Sequence, residues 1–340
     1  MVNYNGVRGG IKMSISASEI KLYRSAVVNN ITTNGGRMST TEVVTNVLNN
    51  LFPNVTQAER TAGVTRYRKA YCKLHDSGDE TLYNHRSWMK TQSPAGDYVQ
   101  VKAGTNTDTQ AQADDYTNWL GCGRLNTAES ADSTSIEVLF ETNSGVGTPD
   151  ATNTQLCWIS DGTNEEFINV TAVSWASNTA TLTLQSGLQY SYDTYGNAGT
   201  VVAGVVDFGD TTSSVDNIVV TSSSGTFDNT YLTVANIGTV EDSWTITFTN
   251  ATQFTCAGAN TGSVGSGQVT DDPFSPSNAS GGTYFAIDAS AWGGSWSSSE
   301  TVTFDTHHAA HAIWVKETVP ASTASYSNNN PTLRQSGESA

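Results

Sequence analysis

The chain reads as mainly β: a basic, short-helix-containing N-terminal region followed by one or two β-sandwich or β-roll domains. Three observations predict this. After about Gly104, apolar residues alternate with Ser and Thr at a period of two, the pattern of half-buried strands. Glycine, asparagine and aspartate break those runs at short intervals, which suits hairpins and not helical crossovers. Before Gly104, three Ser/Thr-x-x-Glu boxes mark short elements with helical start signals. The expected division is a basic docking region at 1–103, an inserted acidic β domain at 104–211, and a C-terminal β domain with a polar tail at 212–340.

In chain order, residues 1–14 read as a flexible arm, with Met13 as an alternative start. Ser16-x-x-Glu19 opens a stretch to about Val28 that fits either helix or strand. Asn34-Gly35-Gly36 is a turn, because glycine reaches positive φ at little cost. Ser39-x-x-Glu42 predicts a helix to about Asn49, with Val43, Val44, Val47 and Leu48 on one face, and Pro53 prevents its continuation. Thr56-x-x-Glu59 predicts a second helix of barely two turns ending at Gly63. The next run, VTRYRKAYCKL, is a strand with Arg66, Arg68 and Cys72 on one face and Tyr67, Lys69 and Lys73 on the other.

Neither face of that strand is purely apolar, so one end is expected to point its cations at a partner. Arg37, Arg60, Arg66, Arg68, Lys69 and Lys73 are therefore the candidate docking residues. The plainer alternative is an exposed edge strand whose basic residues block aggregation. A strand at 97–102 closes the basic part, and TNTDTQAQADD is a polar connector with little periodicity. Strands follow at 135–141, 154–159, 166–175, 180–184 and 200–208. A second block has strands at 217–221, 231–235, 243–249, 253–256, 283–287, 300–304 and 311–318. The tail from Pro320 is polar, either mobile or gripped by a neighbouring subunit.

Charge is unevenly spread. The net charge is −16, yet residues 1–104 hold 13 Lys+Arg against 7 Asp+Glu, and residues 105–315 hold Arg124 alone against 23 acids. This layout predicts a basic docking end and an acidic body facing water. Basic residues interleaved with aromatics could suit nucleic acid, but the acidic body would repel the polymer, so no nucleic acid is expected. No window approaches the roughly 18 apolar residues of a spanning helix, and the N-terminus lacks a signal-like apolar run. A cytoplasmic product that makes no use of a membrane is expected. The four cysteines are far apart without a CxxC pair and read as reduced, mostly buried thiols.

Candidate chemistry is thin. His307-His308-x-x-His311 could bind zinc on a helix, but its flanks are strands, where i and i+4 do not converge. Asp161 to Glu166 and Asp207 to Asp210 carry oxygen ligands without the calcium-loop spacing. No nucleophile elbow, phosphate loop or dinucleotide fingerprint is present. No cofactor, metal or catalytic residue is expected, and the protein is read as not an enzyme.

Two stretches carry a resemblance: SASEIKLYRS…GGRMSTTEVV…NNLFPNVTQAERTAG…RYRKAY, and EDSWTITFTNATQFTCAGANTGSVGSGQVTDD…YFAIDASAWGGSWSSSETVTFDT…AIWVKETVPA. They resemble a family of tailed-bacteriophage virion structural proteins encoded among the head–tail and tail genes of contractile-tailed and Mu-like phages. The resemblance covers roughly half the chain; the middle block matches only loosely. It implies a virion component made in the host cytoplasm, a homo-oligomer contacting other virion proteins such as connector, tail terminator, tube or sheath. A neck or collar position at the head–tail junction is the expectation. Alternatives are a baseplate or tail-surface component, a host-surface glycan-binding module using exposed Trp and Tyr, and more remotely a cell-wall hydrolase.

Overall fold

The computed structural model describes residues 15–45, 47–150, 152–327 and 329–339. The expected arm at 1–14, with Met13, lies outside them. Glu19 closes a 3-10 turn over Ala17–Glu19 by accepting from the Ser16 amide at 2.6 Å, and strand β1 (Ile20–Val27) follows directly. The expected helix after Ser39 does not form: β2 (Gly35–Glu42) is a strand, paired antiparallel with β1. Its Ser39 hydroxyl donates to the Arg24 carbonyl at 2.9 Å across the ladder instead of capping a helix. The Thr56 box is real. Helix α1 (Gln57–Ala62) has the Thr56 amide on the Glu59 carboxylate at 2.7 Å, and Gly63 at positive φ ends it.

Next come β3 (Val64–Leu74), β4 (Leu82–Met89) and β5 (Tyr98–Ala103). The polar connector contains a short helix, α2 (Gln110–Asp114), with Thr109 and Gln112 forming its capping box. Strands β6 (Cys122–Leu125), β7 (Ser135–Leu139), β8 (Gln155–Ser160), β9 (Glu165–Ala176) and β10 (Thr179–Leu184) lead through α3 (Tyr195–Ala198) to β11 (Val201–Thr211). The last part holds β12 (Ser214–Thr221), β13 (Ser224–Phe227), β14 (Leu232–Thr233), β15 (Asp242–Phe248), β16 (Gln253–Gly258) and β17 (Gly262–Gln268). It continues with β18 (Ala286–Ile287), β19 (Trp292–Ser295), β20 (Thr301–His307), β21 (Ala310–Val319) and β22 (Leu333–Glu338).

The architecture is mainly β and every strand pairing within the sheets is antiparallel. A five-stranded sheet of order β2-β1-β3-β21-β5 packs on the β22-β4-β11 ribbon through Ala70, Cys72, Trp88, Val101, Val205, Ile313 and Val315. Strands β6, β7, β10, β9 and β8 then pair in turn, and β11 joins β8 back to β6, so six strands close into a barrel. Closure removes the exposed edges that an open sheet would leave. Ile136, Val138, Cys157, Ile168, Val170, Leu182 and Val202 fill it. The third unit, β12-β20-β15-β16-β17, is covered by a ribbon in which β13 pairs with β19 and β14 with β18. Trp244, Ile246 and Phe248 alternate inward from β15, against Phe285, Phe304 and Trp296.

Strand pairing regroups the expected division at 212. Only β12 to β20 make the third unit. β21 inserts between β3 and β5 with ten paired residues, and β22 pairs with β4. The end of the tail expected to be partly mobile or held by a neighbour, Leu333–Glu338, is thus a strand of the chain's own sheet, with Arg334 and Gln335 buried. Among the described residues no helix is long and apolar enough to cross a membrane.

Candidate functional site

The six candidate docking residues do not form one outward basic face. β3 is an interior strand, flanked by β1 and β21, so the edge-strand alternative also fails. Arg66, Arg68, Lys69 and Lys73 are buried. Arg66 Nε donates to Glu317 Oε2 at 2.6 Å and its Nη2 to the Pro53 carbonyl at 2.9 Å. Arg68 donates to the Asn29 carbonyl at 2.9 Å, and both guanidiniums lie over the Phe52 ring. Lys73 donates to the Ile237 carbonyl at 2.9 Å; burial, with Lys21 nearby, pulls it down to about 8. Arg37 and Arg60 are partly exposed, Arg37 donating to the Glu241 carbonyl at 2.6 Å and Arg60 to Thr323 at 3.5 Å. The N-terminal cations mostly hold the chain's own loops and third unit, and the expectation of arginines aimed at a partner is corrected.

Lys69 belongs to the most enclosed polar cluster. Its ammonium reaches Asp108 Oδ1 at 2.6 Å and donates to the Gly36 carbonyl at 2.7 Å. Asp108 Oδ2 accepts from Trp314 Nε1 at 2.7 Å and from the Tyr116 hydroxyl. Tyr71 donates to Gly36 and Asn106 carbonyls at 2.7 and 2.9 Å.

The three histidines of the candidate metal motif point to different surroundings. His307 contacts Glu241 Oε1 at 3.0 Å and Asp216 Oδ1 at 3.1 Å; burial alone would lower it, but these carboxylates raise it. His308 is buried edge-on to Tyr71 and burial pulls it down to about 3. His311 stacks flat on Phe208 at 4.9 Å, beside His85. Among the described residues no group of three or more His, Cys, Asp or Glu is placed to hold a metal ion. Asp161 accepts the Thr163 and Asn164 amides of its own turn, and Asp207 pairs with Arg86 at 3.3 Å. The four cysteines are free and buried, and burial pushes each thiol up to about 12.

A cleft of about 180 Å³ lies between β4, β22 and the β8–β9 hairpin, lined by Arg86, Trp88, Trp158, Phe167 and Arg334 among others. It offers little stacking surface. Arg334 covers Trp88 and Trp158 at 5.2 and 5.5 Å while paired to Glu165 at 2.6 and 3.0 Å. Trp175 and Trp292 are half-buried and the other six tryptophans are buried, so of the aromatics named in the glycan reading it is tyrosines, Tyr83, Tyr195, Tyr231 and Tyr326, that are exposed.

The exposed aliphatic residues concentrate around β1 and β2. Val27, Val28 and Ile31 sit at and beyond the end of β1, and Val44, Val47 and Leu48 in the loop after β2; Ile31 is 61% and Leu48 65% exposed. Segments 25–36 and 43–58 contain no charged residue. The loop is held firmly: Asn50 donates to the Val44 carbonyl at 2.7 Å, Arg24 bonds Asn50, and Leu51 and Phe52 pack against the core. Anchoring at its far end keeps Val44, Val47 and Leu48 outside. The apolar run was legible in sequence, but the helical period assigned to it hid that it has no internal face to pack on.

No family model matches the chain, and no curated protein matches it. Among solved structures it is similar, at 9% identity, to VP17, a capsid protein of bacteriophage P23-77, over 76% of this chain and 87% of that chain with a TM-score of 0.18. It is also similar, at 9% identity over 76% of this chain and 89% of that one with a TM-score of 0.15, to the VP16-VP17 complex, a complex of the two major capsid proteins of that bacteriophage. TM-scores this low do not make the folds alike.

Proposed function

We propose that the chain is a non-enzymatic structural protein of a bacteriophage virion, present in several copies at the neck or collar of the head–tail junction. The observation that carries this reading is the set of exposed aliphatic residues in two uncharged segments, Val27, Val28 and Ile31 in one and Val44, Val47 and Leu48 in the other, on a chain of net charge −16. Exposed aliphatics of this kind are costly in water and mark a contact, each worth about 1.5–3 kcal/mol when covered. Copies cannot approach through their acidic bodies without repulsion, so the uncharged surface is where a neighbour fits. The sequence resemblance to tailed-phage virion proteins supplies the setting. Docking in this reading runs through the aliphatic loop and not through the cations of β3.

The test is incorporation into particles. Wild type should be found in purified virions at fixed stoichiometry, with an antibody label at the head–tail junction. The double variant Val47→Asp, Leu48→Asp should fold with an unchanged melting temperature and be missing from particles. Label at the distal tail would replace the neck by the baseplate. Virions without the chain, or normal uptake of the double variant, would refute the reading.

A further inference from the structure

Lys69 and Asp108 form an unusual buried pair. Lys69 projects from the interior strand β3, opposite Trp314 on β21, and Asp108 lies in the connector just before α2. The two side chains are 0% and 2% exposed and Nζ stands 2.6 Å from Oδ1. Among the described residues Oδ1 nevertheless has no partner of good hydrogen-bond geometry, so the nitrogen approaches the carboxyl group off the ideal direction. Both strong donors of the compartment, Trp314 Nε1 and the Tyr116 hydroxyl, are on Oδ2. A structural ion pair would be expected to share its bonds between both oxygens. Here one oxygen is held like a carbonyl oxygen and the other is left with only the amine.

We propose that Lys69 and Asp108 join in an intramolecular amide, formed by the folded chain itself with loss of one water. One proton passes from Lys69 Nζ to Asp108 Oδ1, which turns two buried charges into an amine and an acid. The amine lone pair then attacks Cγ, and the negative charge collects on Oδ2. A second proton passes from nitrogen to Oδ1, the Cγ–Oδ1 bond breaks, and water leaves. The Cγ=Oδ2 bond is restored and nitrogen keeps one hydrogen. No oxidant, cofactor or second protein is required.

The surroundings favour the attack and the addition step. Burial pulls Lys69 down, against the neighbouring carboxylate that pulls it up, and a desolvated lysine is a better nucleophile. Burial alone would push the Asp108 carboxyl up; the contacts from Lys69, Tyr116 and Trp314 outweigh it and hold the group below its ordinary value. Those same two donors on Oδ2 stabilise the oxyanion of the addition step, where they count for more than in the starting acid. Holding the reacting groups in contact is worth an effective concentration on the order of 10⁵–10⁸ M. The compartment is closed by glycines: a Cβ at Gly35 would come 2.8 Å from Trp314 and from the Asp108 carbonyl, and one at Gly104 2.9 Å from Trp314. Even paired charges are expensive to desolvate in such a site, and the amide removes both. It ties β3 to the connector and so fastens the first sheet to the start of the barrel unit.

The experiment is a mass measurement on the purified, folded full chain. Wild type should be lighter than the sum of its residues by one water, about 18 Da, a covalent change that survives boiling in reductant. Its protease digest should contain a branched peptide joining Lys69 to Asp108, which separates this reaction from cyclisation at Asp161-Gly162. Lys69→Arg and Asp108→Ala should both show full mass, and Asp108→Asn should lose ammonia in place of water. A wild-type digest with Lys69 and Asp108 in separate linear peptides overturns the proposal, and that reading needs no variant to fold. The result is independent of whether the chain is found in virions.

Discussion

At the scale of single residues, buried charge sets the heaviest penalties. Arg66 is 2% exposed, and its partner Glu317, raised by burial in spite of Arg66, has no other ion pair among the described residues. Replacing Arg66 with Ala leaves Glu317 uncompensated and should cost about 3–5 kcal/mol in a urea melt. Arg60, whose bond among the described residues is to a carbonyl at 3.5 Å, should cost no more than about 0.5 kcal/mol on the same replacement. Equal losses for the two variants would mean that burial is not what distinguishes them. The sequence showed that β3 is dense in cations but not where their partners are. Glu317 is 251 residues from Arg66 and Asp108 is 39 from Lys69, so an internal ion pair and an outward-facing basic strand look identical in the chain. Asp108, the centre of the enclosed cluster, stood in a stretch with no periodicity, and its only signal was the Thr109-x-x-Gln112 box beside it.

At the scale of elements, local signals decided those segments that had no competing partner. Thr56-x-x-Glu59 caps a helix because nothing else claims its amides, whereas Ser39-x-x-Glu42 lies within reach of β1 and is drawn into the sheet, its Glu42 pairing with Lys21 at 3.4 Å. The β-branched Val43-Val44-Thr45 run weakens the helix further. Strands with strict alternation, such as β15, were legible to within a residue or two. β4 and β22 were not, because LYNHRSWM and LRQSGE carry their polar residues inward, where His85 meets Gln335 at 3.2 Å and Arg334 meets Glu165. Since β22 covers β4, deleting residues 333–340 should strip Trp88, now 1% exposed, of its Arg334 cover. Exposure of that ring should cost about 1.5–3 kcal/mol and shift tryptophan emission to the red. An unchanged spectrum and urea midpoint would show that the last strand is dispensable to its own sheet.

At the scale of the whole molecule, the junctions between units are built on buried histidines, and this fixes a pH response. His85 lies where β4, β11 and β22 meet, contacting Thr211 at 2.8 Å and Gln335 at 3.2 Å, and burial pulls it down to about 3. His308 lies where β20 of the third unit passes into β21 of the first sheet; burial, then Lys73 and the flanking His311 and His307, pull it to about 3 as well. In the unfolded chain both bind protons near pH 6.5, while the native state binds them only near pH 3. Unfolding therefore takes up protons across that window, and stability falls as pH drops through it, by up to about 1.4 kcal/mol per pH unit for each histidine. Lys73, held at about 8 against 10.5, carries the same sign into the alkaline range. His307 runs the other way: raised above 6.5, it favours the fold at low pH and loses that contribution as pH rises. Its side chain is 36% exposed, so its pairs with Asp216 and Glu241 are worth no more than about 1 kcal/mol and do not cancel the two buried rings. Between pH 6.5 and 4.5 most carboxylates are still ionised, so the fall in melting temperature over that interval should belong to the histidines that burial lowers, His85 and His308 with His311 and His75 adding to them. His308→Leu removes one of them at a site where, among the described residues, neither ring nitrogen has a hydrogen bond, and it should make the fall less steep while leaving neutral-pH stability intact or improved. A melting temperature that is flat from pH 6.5 to 4.5, or a slope untouched by that replacement, would show that the junctions open to water before the rings are charged.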